Sequence, residues 1–216
     1  AVSPGPVMAS SNEFKITIRG KGSHAALPHN GIDPVPVACQ MVQAFQTIIS
    51  RNKKPVDAGV ISVTMIHAGE ATNVVPDSCE LQGTVRTFTL EVLDLIEKRM
   101  EEIARHTCAA FDATCEFEFV RNYPPTVNSA AEADFAREVM TGIVGAANVM
   151  PQEPTMGAED FAHYLEHVPG AMLRLGTDCP YHLHTPGYDF GDDALAYGIR
   201  LLATIGMSPL PTFDKV

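Results

Sequence analysis

The sequence predicts an α+β chain in two parts. The first is a β-α-β-β-α-β unit of ferredoxin-like topology between Phe14 and Val120, a four-stranded antiparallel sheet with two helices on one face; the second is a mainly helical stretch that reads as the tail of a helix-covered α/β sheet. Two observations carry this. Four segments alternate apolar and polar residues with the period of a half-buried strand, and two segments among them repeat apolar residues at helical spacing. After Val120 the texture changes, because Tyr123-Pro124-Pro125 makes a linker and most of the periodic segments beyond it are helical. The 216 residues are 45% hydrophobic and 19% charged, enough to bury a core and incompatible with wholesale disorder.

The elements follow in order. The first ten residues read as a strand-and-turn fragment. Phe14, Ile16 and Ile18 then alternate with Lys15, Thr17 and Arg19 until Gly20 and Gly22 break the strand. Asp33 before Pro34 is an N-cap acceptor with proline at the first helical position, and Val37, Met41, Ala44 and Ile48 extend that helix to about Ser50. Ile61, Val63 and Met65 form the second strand; Cys79, Leu81, Gly83 and Val85, alternating with Glu80, Gln82 and Thr84, form the third. Thr89 caps a helix with Leu93, Ile96, Met100, Ile103 and Thr107 on one stripe and the pairs Asp94/Lys98 and Glu101/Arg105 on another. Cys115, Phe117 and Phe119 against Glu116 and Glu118 complete the four strands. Beyond the linker, Ser129 and Glu132 have the spacing of a capping box for a helix carrying Phe135, Val139 and Ile143. A helical stretch at Ala158 to His167, a short buried strand at Ala171 to Leu175, and a helix from Asp192 to about Ile205 with Leu195, Ile199 and Leu202 on one face end the reading.

Charge and motif content exclude several functions. With 15 basic against 26 acidic residues the net charge is −11, which argues against nucleic acid as a partner, and the strands lack the aromatic pattern of an RNA-binding ferredoxin-like domain. No apolar run approaches the roughly 20 residues a bilayer requires, and the start lacks the blocks of a signal peptide, so neither a membrane nor a secretory role is expected. Five scattered cysteines with no CxxC pair suit a reduced, cytoplasmic setting. There is no GxSxG elbow and no phosphate-binding loop.

Three clusters could carry chemistry, each with a plainer reading beside it. Gly20-Lys-Gly-Ser-His24-Ala-Ala-Leu-Pro-His29 is a loop with two glycines and two histidines, or simply a connection. Gly69-Glu-Ala-Thr-Asn73-Val-Val-Pro76-Asp77, with Arg86 on the strand after it, offers an amide and a guanidinium suited to a carboxylate, or is a solvated hairpin bend. In Cys179-Pro-Tyr-His182-Leu-His184, two histidines at i,i+2 of an extended chain would point the same way, which suits metal binding, although a third and fourth ligand are not evident.

Taken together, Gly22-Ser-His24-Ala-Ala-Leu-Pro-His29, Asn73-Val-Val-Pro76-Asp77, Gly83-Thr-Val-Arg86-Thr, Met156-Gly-Ala-Glu159-Asp-Phe161 and His184-Thr-Pro-Gly-Tyr-Asp-Phe190 resemble, in that order, the metal-dependent amidohydrolases and metallopeptidases of the aminoacylase, hippurate hydrolase and auxin-conjugate hydrolase type. The resemblance runs from about Val2 to Leu210. It implies a doubly wound zinc-peptidase-like catalytic domain holding two divalent metal ions (zinc, or manganese, cobalt or nickel) and an inserted ferredoxin-like lid that mediates homodimerisation. On that basis residues 12–121 are the lid, 1–11 a catalytic-domain remnant and 122–216 the C-terminal part of the catalytic domain. The implied reaction is hydrolysis of an N-acyl amino acid by a metal-activated water. His184 matches the last metal ligand, and His24 matches a lid histidine that polarises the substrate carbonyl, in some members across the dimer. Asn73 and Arg86 match groups that hold the substrate carboxylate, Glu159 matches a motif lining the cleft, and His182 is left to a supporting role or none. The family's other ligands and its catalytic glutamate lie in Cys-Gly-His-Asp and Glu-Glu stretches that this sequence lacks, so half a site is expected, and a lid or ligand-binding fragment without catalysis is the alternative.

Overall fold

The computed structural model describes residues 1–177 and 179–209. Leu210, where the resemblance ends, and the rest of the expected range up to 216 lie outside the described residues. In chain order the strands are β1 (Gly5–Met8), β2 (Ser11–Arg19), β3 (Ser23–His24), β4 (Gly59–Ala68), β5 (Val74–Val75), β6 (Ser78–Thr87), β7 (Thr114–Tyr123) and β8 (Thr126–Asn128). The α-helices are α1 (Pro34–Thr47), α2 (Leu90–Ala109), α3 (Ala130–Val144), α4 (Ala162–Leu165) and α5 (Asp193–Met207). They fall into two compact units, one of Ala9–Pro125 with Met156–Ala158, the other of Ala1–Met8, Thr126–Thr155 and the residues from Glu159 on.

The first unit is ferredoxin-like. Its sheet has the order β4-β6-β2-β7, antiparallel throughout. Period-2 alternation sends Phe14, Ile16, Ile18, Leu81 and Val85 to one face, where they pack with Val37, Met41 and Phe45 of α1 and Leu93, Ile96 and Met100 of α2. Phe14 and Phe45 meet edge to face at 6.3 Å between ring centres. The expected helix starts are made by the expected atoms: Asp33 Oδ1 accepts from Val35 N at 2.9 Å, and Thr89 Oγ1 from Val92 N at 3.3 Å. α1 leaves its α-helical pattern at Ile48 and ends in one π turn, Ile48–Asn52. The buried stripe of α2 runs on through Ala104 and Cys108, one residue past Ile103 and Thr107, as four-residue steps from Ile96 and Met100 continue. Glu101 and Arg105 pair as expected, but Asp94 does not choose Lys98: the forked guanidinium of Arg121 on β7 takes Asp94 and Glu97 together.

The second unit has a small core of Val2, Ala133 and Met140 with Val149, Leu173 and Leu201 packed around it. β1 pairs with β8, a three-residue strand that periodicity does not reveal. Here the sequence expectations need four corrections. Ser129 stands at the N-cap of α3, but its hydroxyl accepts from Gly170 N at 3.2 Å and makes no capping bond, so the capping box is not formed. The helix expected over Ala158 to His167 shrinks to α4, because no side chain caps its start and the flanking residues bond three apart as turns. Ala171 to Leu175 is extended but not a ladder strand: Arg174 exchanges backbone bonds with Ala1, and the Asn128 amide takes both polar groups of Met172. Finally, Leu195, Ile199 and Leu202 of α5 are 48%, 68% and 70% exposed, so that apolar face is not covered within the described residues.

Candidate active site

The loop from Gly20 to Ile32 is built rather than loose. Lys21 and Ile32 exchange backbone bonds at 2.9 Å, and a side chain at Gly20 would collide with the Ile32 carbonyl. β3 pairs with β5, setting His24 opposite Val74, and Ala25 N donates to Asn73 O at 3.0 Å. Two of the expected residues are thus neighbours, and they line one open concavity of about 460 Å³ with Gly22 and Asp77. Asp77 fixes the arrangement: its carboxylate accepts from Gly22 N at 2.7 Å and its carbonyl from Gly20 N at 2.8 Å. Sequence reasoning gave Asp77 no role; an acidic residue after proline at a strand start marks an acceptor, without saying which distant donor it serves.

His24 is exposed, and its Nδ1 accepts from Ala26 N at 3.0 Å. A ring whose Nδ1 accepts carries its proton on Nε2 in the neutral form, so a residue lining the concavity keeps an N–H donor to offer. Arg86 is elsewhere. It sits near the far end of β6, eight residues and roughly 26 Å along the strand from Ser78, on the face away from the helices, with Nη1 3.5 Å from the Ser10 carbonyl. The bend and the guanidinium that sequence adjacency suggested as one cluster therefore do not converge within one chain. A buried network pins that end of the sheet: Asn12 Nδ2 donates to Ser10 Oγ at 2.9 Å and to Val85 O at 3.0 Å, and Ser10 Oγ meets Thr87 Oγ1 at 3.1 Å.

In the other unit, Glu159 is half-buried just before α4, its carbonyl accepting from Ala162 N at 3.2 Å. His182 and His184 are exposed, and the chain there is a turn, not extended: His184 takes φ +65°, and Thr185 Oγ1 bonds back to the His182 carbonyl at 2.8 Å. The same-side argument for the two histidines does not apply to such a turn. Among the described residues no three His, Cys, Asp or Glu side chains converge as metal ligands, so the residues in hand do not complete a metal site.

Residues 10–112 match the family model described as a peptidase dimerisation domain. N-acetyl-L-cysteine deacetylase of Bacillus subtilis is 38% identical over 197 residues, 88% of this chain and 45% of that protein. Thermostable carboxypeptidase 1 of Saccharolobus solfataricus is 37% identical over 92% of this chain and 51% of its own length. Among solved structures, the YXEP protein of Bacillus subtilis, described as a dinuclear metal binding peptidase from the M20 family, superposes with a TM-score of 0.75 and 29% identity over 94% of this chain and 51% of that one. Residues 10–112 belong to the M20 peptidase dimerisation family, and the chain as a whole is similar to M20 hydrolases. Its β-α-β-β-α-β unit contains the whole of the matched dimerisation domain, and the remaining unit is part of the peptidase fold. These M20 relatives are hydrolases, and the chain spans about half the length of the relatives it matches. No helix among the described residues is long and apolar enough to cross a membrane.

Proposed function

We propose that the chain serves a cytoplasmic, homodimeric hydrolase of N-acyl amino acids, with residues 12–121 as lid and dimerisation domain and residues 1–11 and 122–216 as parts of the catalytic domain. The observation that carries this reading is the His24–Asn73 pair, a fixed N–H donor beside an amide, set apart from the carboxylate-binding type of side chain at Arg86. A substrate with an amide to polarise and a carboxylate to grip needs both kinds of group. The dimer supplies the missing proximity: His24 and Asn73 of one protomer work with Arg86 of its partner. In that arrangement His24 Nε2–H donates to the amide oxygen and strengthens its bond as negative charge develops there. The Asn73 amide orients the substrate, and Arg86 forks onto its carboxylate. Glu159 lines the cleft in the other unit. His184 is the ligand we assign to a divalent metal ion, and because the ligand set is incomplete here, what this chain's own residues contribute is recognition and charge stabilisation. Five free cysteines suit the reduced cytoplasm.

The test is amine release from a panel of N-acetyl and N-benzoyl amino acids. His24→Ala should lower kcat by about 10²–10³-fold, while Arg86→Ala raises KM. Mixing the two variants at substrate far below the raised KM, where each alone is nearly silent, decides the sharing: in a two-fold dimer half the mixed molecules carry one intact site, so about a quarter of the wild-type activity returns. Recovery of nothing would place His24 and Arg86 in the same protomer's site. Carboxylate binding without any hydrolysis would favour the non-catalytic lid.

A further inference from the structure

Two cysteines in the dimerisation unit play no part in the proposed chemistry, yet the fold puts them together. Cys108 is on the last turns of α2 and buried; Cys115 is the second residue of β7, half-buried, on the strand's helix-facing side with Phe117 and Phe119. α2 and β7 run antiparallel and are tied at the other end by Arg121 to Glu97 and Asp94. From Glu97 to Cys108 the helix advances about 16 Å, and from Arg121 back to Cys115 the strand covers about 20 Å, so the two thiols come to nearly the same level between helix and strand. Cys108 belongs to the apolar cluster between helices and sheet, and Cys115 packs against that cluster. The connecting turn is tight: Phe111 N and Ala113 N both donate to the Cys108 carbonyl at 3.0 Å, and Asp112 turns the chain at φ +56°.

We propose that Cys108 and Cys115 form a redox-active dithiol whose co-reactant is a hydroperoxide. The Cys115 thiolate attacks the peroxide oxygen and the O–O bond breaks, giving a sulfenic acid and, from hydrogen peroxide, water. The Cys108 thiol then attacks the Cys115 sulfur; the S–O bond breaks, water leaves, and an S–S bond forms. Two electrons pass from the pair to the peroxide, and a thiol reductant returns them. The surroundings sort the roles. Interaction with the Cys108 thiol, helped by the Arg105 guanidinium, draws the Cys115 thiol down to about 7 despite burial and the opposing Glu101. The same interaction and burial push Cys108 up. On β2 the residue in register with Cys115 is the apolar Ile18, while Lys15, Arg19 and Glu116 lie on the opposite face of the sheet or point to solvent. The disulfide would lock the end of α2 to an edge strand of the dimerisation unit.

The experiment treats the whole chain with hydrogen peroxide, blocks the remaining thiols with iodoacetamide and maps the peptides by mass. A Cys108–Cys115 linked peptide, lighter by two hydrogens and reversed by dithiothreitol, is expected, with the melting temperature raised by about a few degrees. In Cys108→Ser the link vanishes and a dimedone-trappable sulfenic acid remains on Cys115. If that variant does not fold, Cys115→Ala takes its place, and Cys108 must then stay reduced at the same dose. Recovery of Cys115 fully alkylated while Cys39 or Cys179 oxidises, a link between any other pair, or oxidation of Cys108 without Cys115 overturns the proposal.

Discussion

α2 and α5 are both long amphipathic helices, and they meet opposite fates. On α2, Leu93, Ile96 and Met100 are at most 1% exposed beneath a sheet that the same unit provides; on α5 the equivalent stripe stays largely in solvent, with only Ala194 buried. Periodicity tells which face of a helix is apolar. Whether that face is buried depends on what the rest of the fold brings to it, and α2 has the four-stranded sheet of its own unit. The sharpest way to break the comparison is a matched pair of truncations. Ile96→Ala should cost about 2–5 kcal/mol by removing packed methyl groups from a closed core, read as a drop in the urea midpoint of circular dichroism. Leu202→Ala should stay within about 0.5 kcal/mol, as surface changes do. An equal cost at both sites would mean that the α5 face is covered in solution, by a second copy or another chain.

The same contrast explains what was legible in the sequence. In the dimerisation unit each local signal agreed with the fold: the alternation of Phe14, Ile16 and Ile18, the caps at Asp33 and Thr89 and the stripe of α2 all reappear, because strands nine or ten residues long bury one whole face. In the other unit the elements are short and rely on distant partners. Nothing near Met172 announces that Asn128 will satisfy its backbone, and nothing near Ser129 announces Gly170. The candidate site was legible as residue types and not as geometry. His24 and Asn73 meet through a two-residue ribbon that no periodicity test can find, and Arg86, nearer to Asn73 in sequence than His24 is, lies well along the strand from it. Adjacency along a chain is a poor guide to convergence once a ten-residue strand intervenes.

The two N-caps sharpen the comparison on a smaller scale. Thr89 caps α2 with its hydroxyl, so Thr89→Ala should cost about 1 kcal/mol and loosen the first turn, read as faster hydrogen exchange at Val92. Ser129 occupies the equivalent place before α3, but its hydroxyl serves Gly170. Ser129→Ala should therefore cost about 0.5–1.5 kcal/mol without speeding exchange in the first turn of α3, and with exchange at Gly170 rising instead. If the first turn of α3 frays as that of α2 does, the capping box forms in solution after all.

The smallest expected effect concerns charge, and it too separates the units. In the dimerisation unit, ion pairs on the sheet's open face join strands far apart in sequence, Lys15 with Glu80 and Arg19 with Glu116; in the other unit, Arg137–Asp134 and His163–Glu166 join residues three apart. Hydrogen bonds from Lys15 and then Gln82 hold the Glu80 carboxyl below its ordinary range, and Arg19 does the same for Glu116. A carboxyl depressed in the folded state contributes stability that is fully present above its unfolded pKa, about 4.3 for glutamate, and lost as pH falls through the lower folded value. These side chains are exposed, so the contribution is slight. The melting temperature of the wild type should thus exceed that of the Glu80→Gln, Glu116→Gln double variant by a small margin that is constant from pH 7 to 5 and closes below about pH 4. A margin that does not narrow at all as the pH falls would trace the difference to the amide substitutions themselves and leave the cross-strand pairs without a share in the sheet's stability.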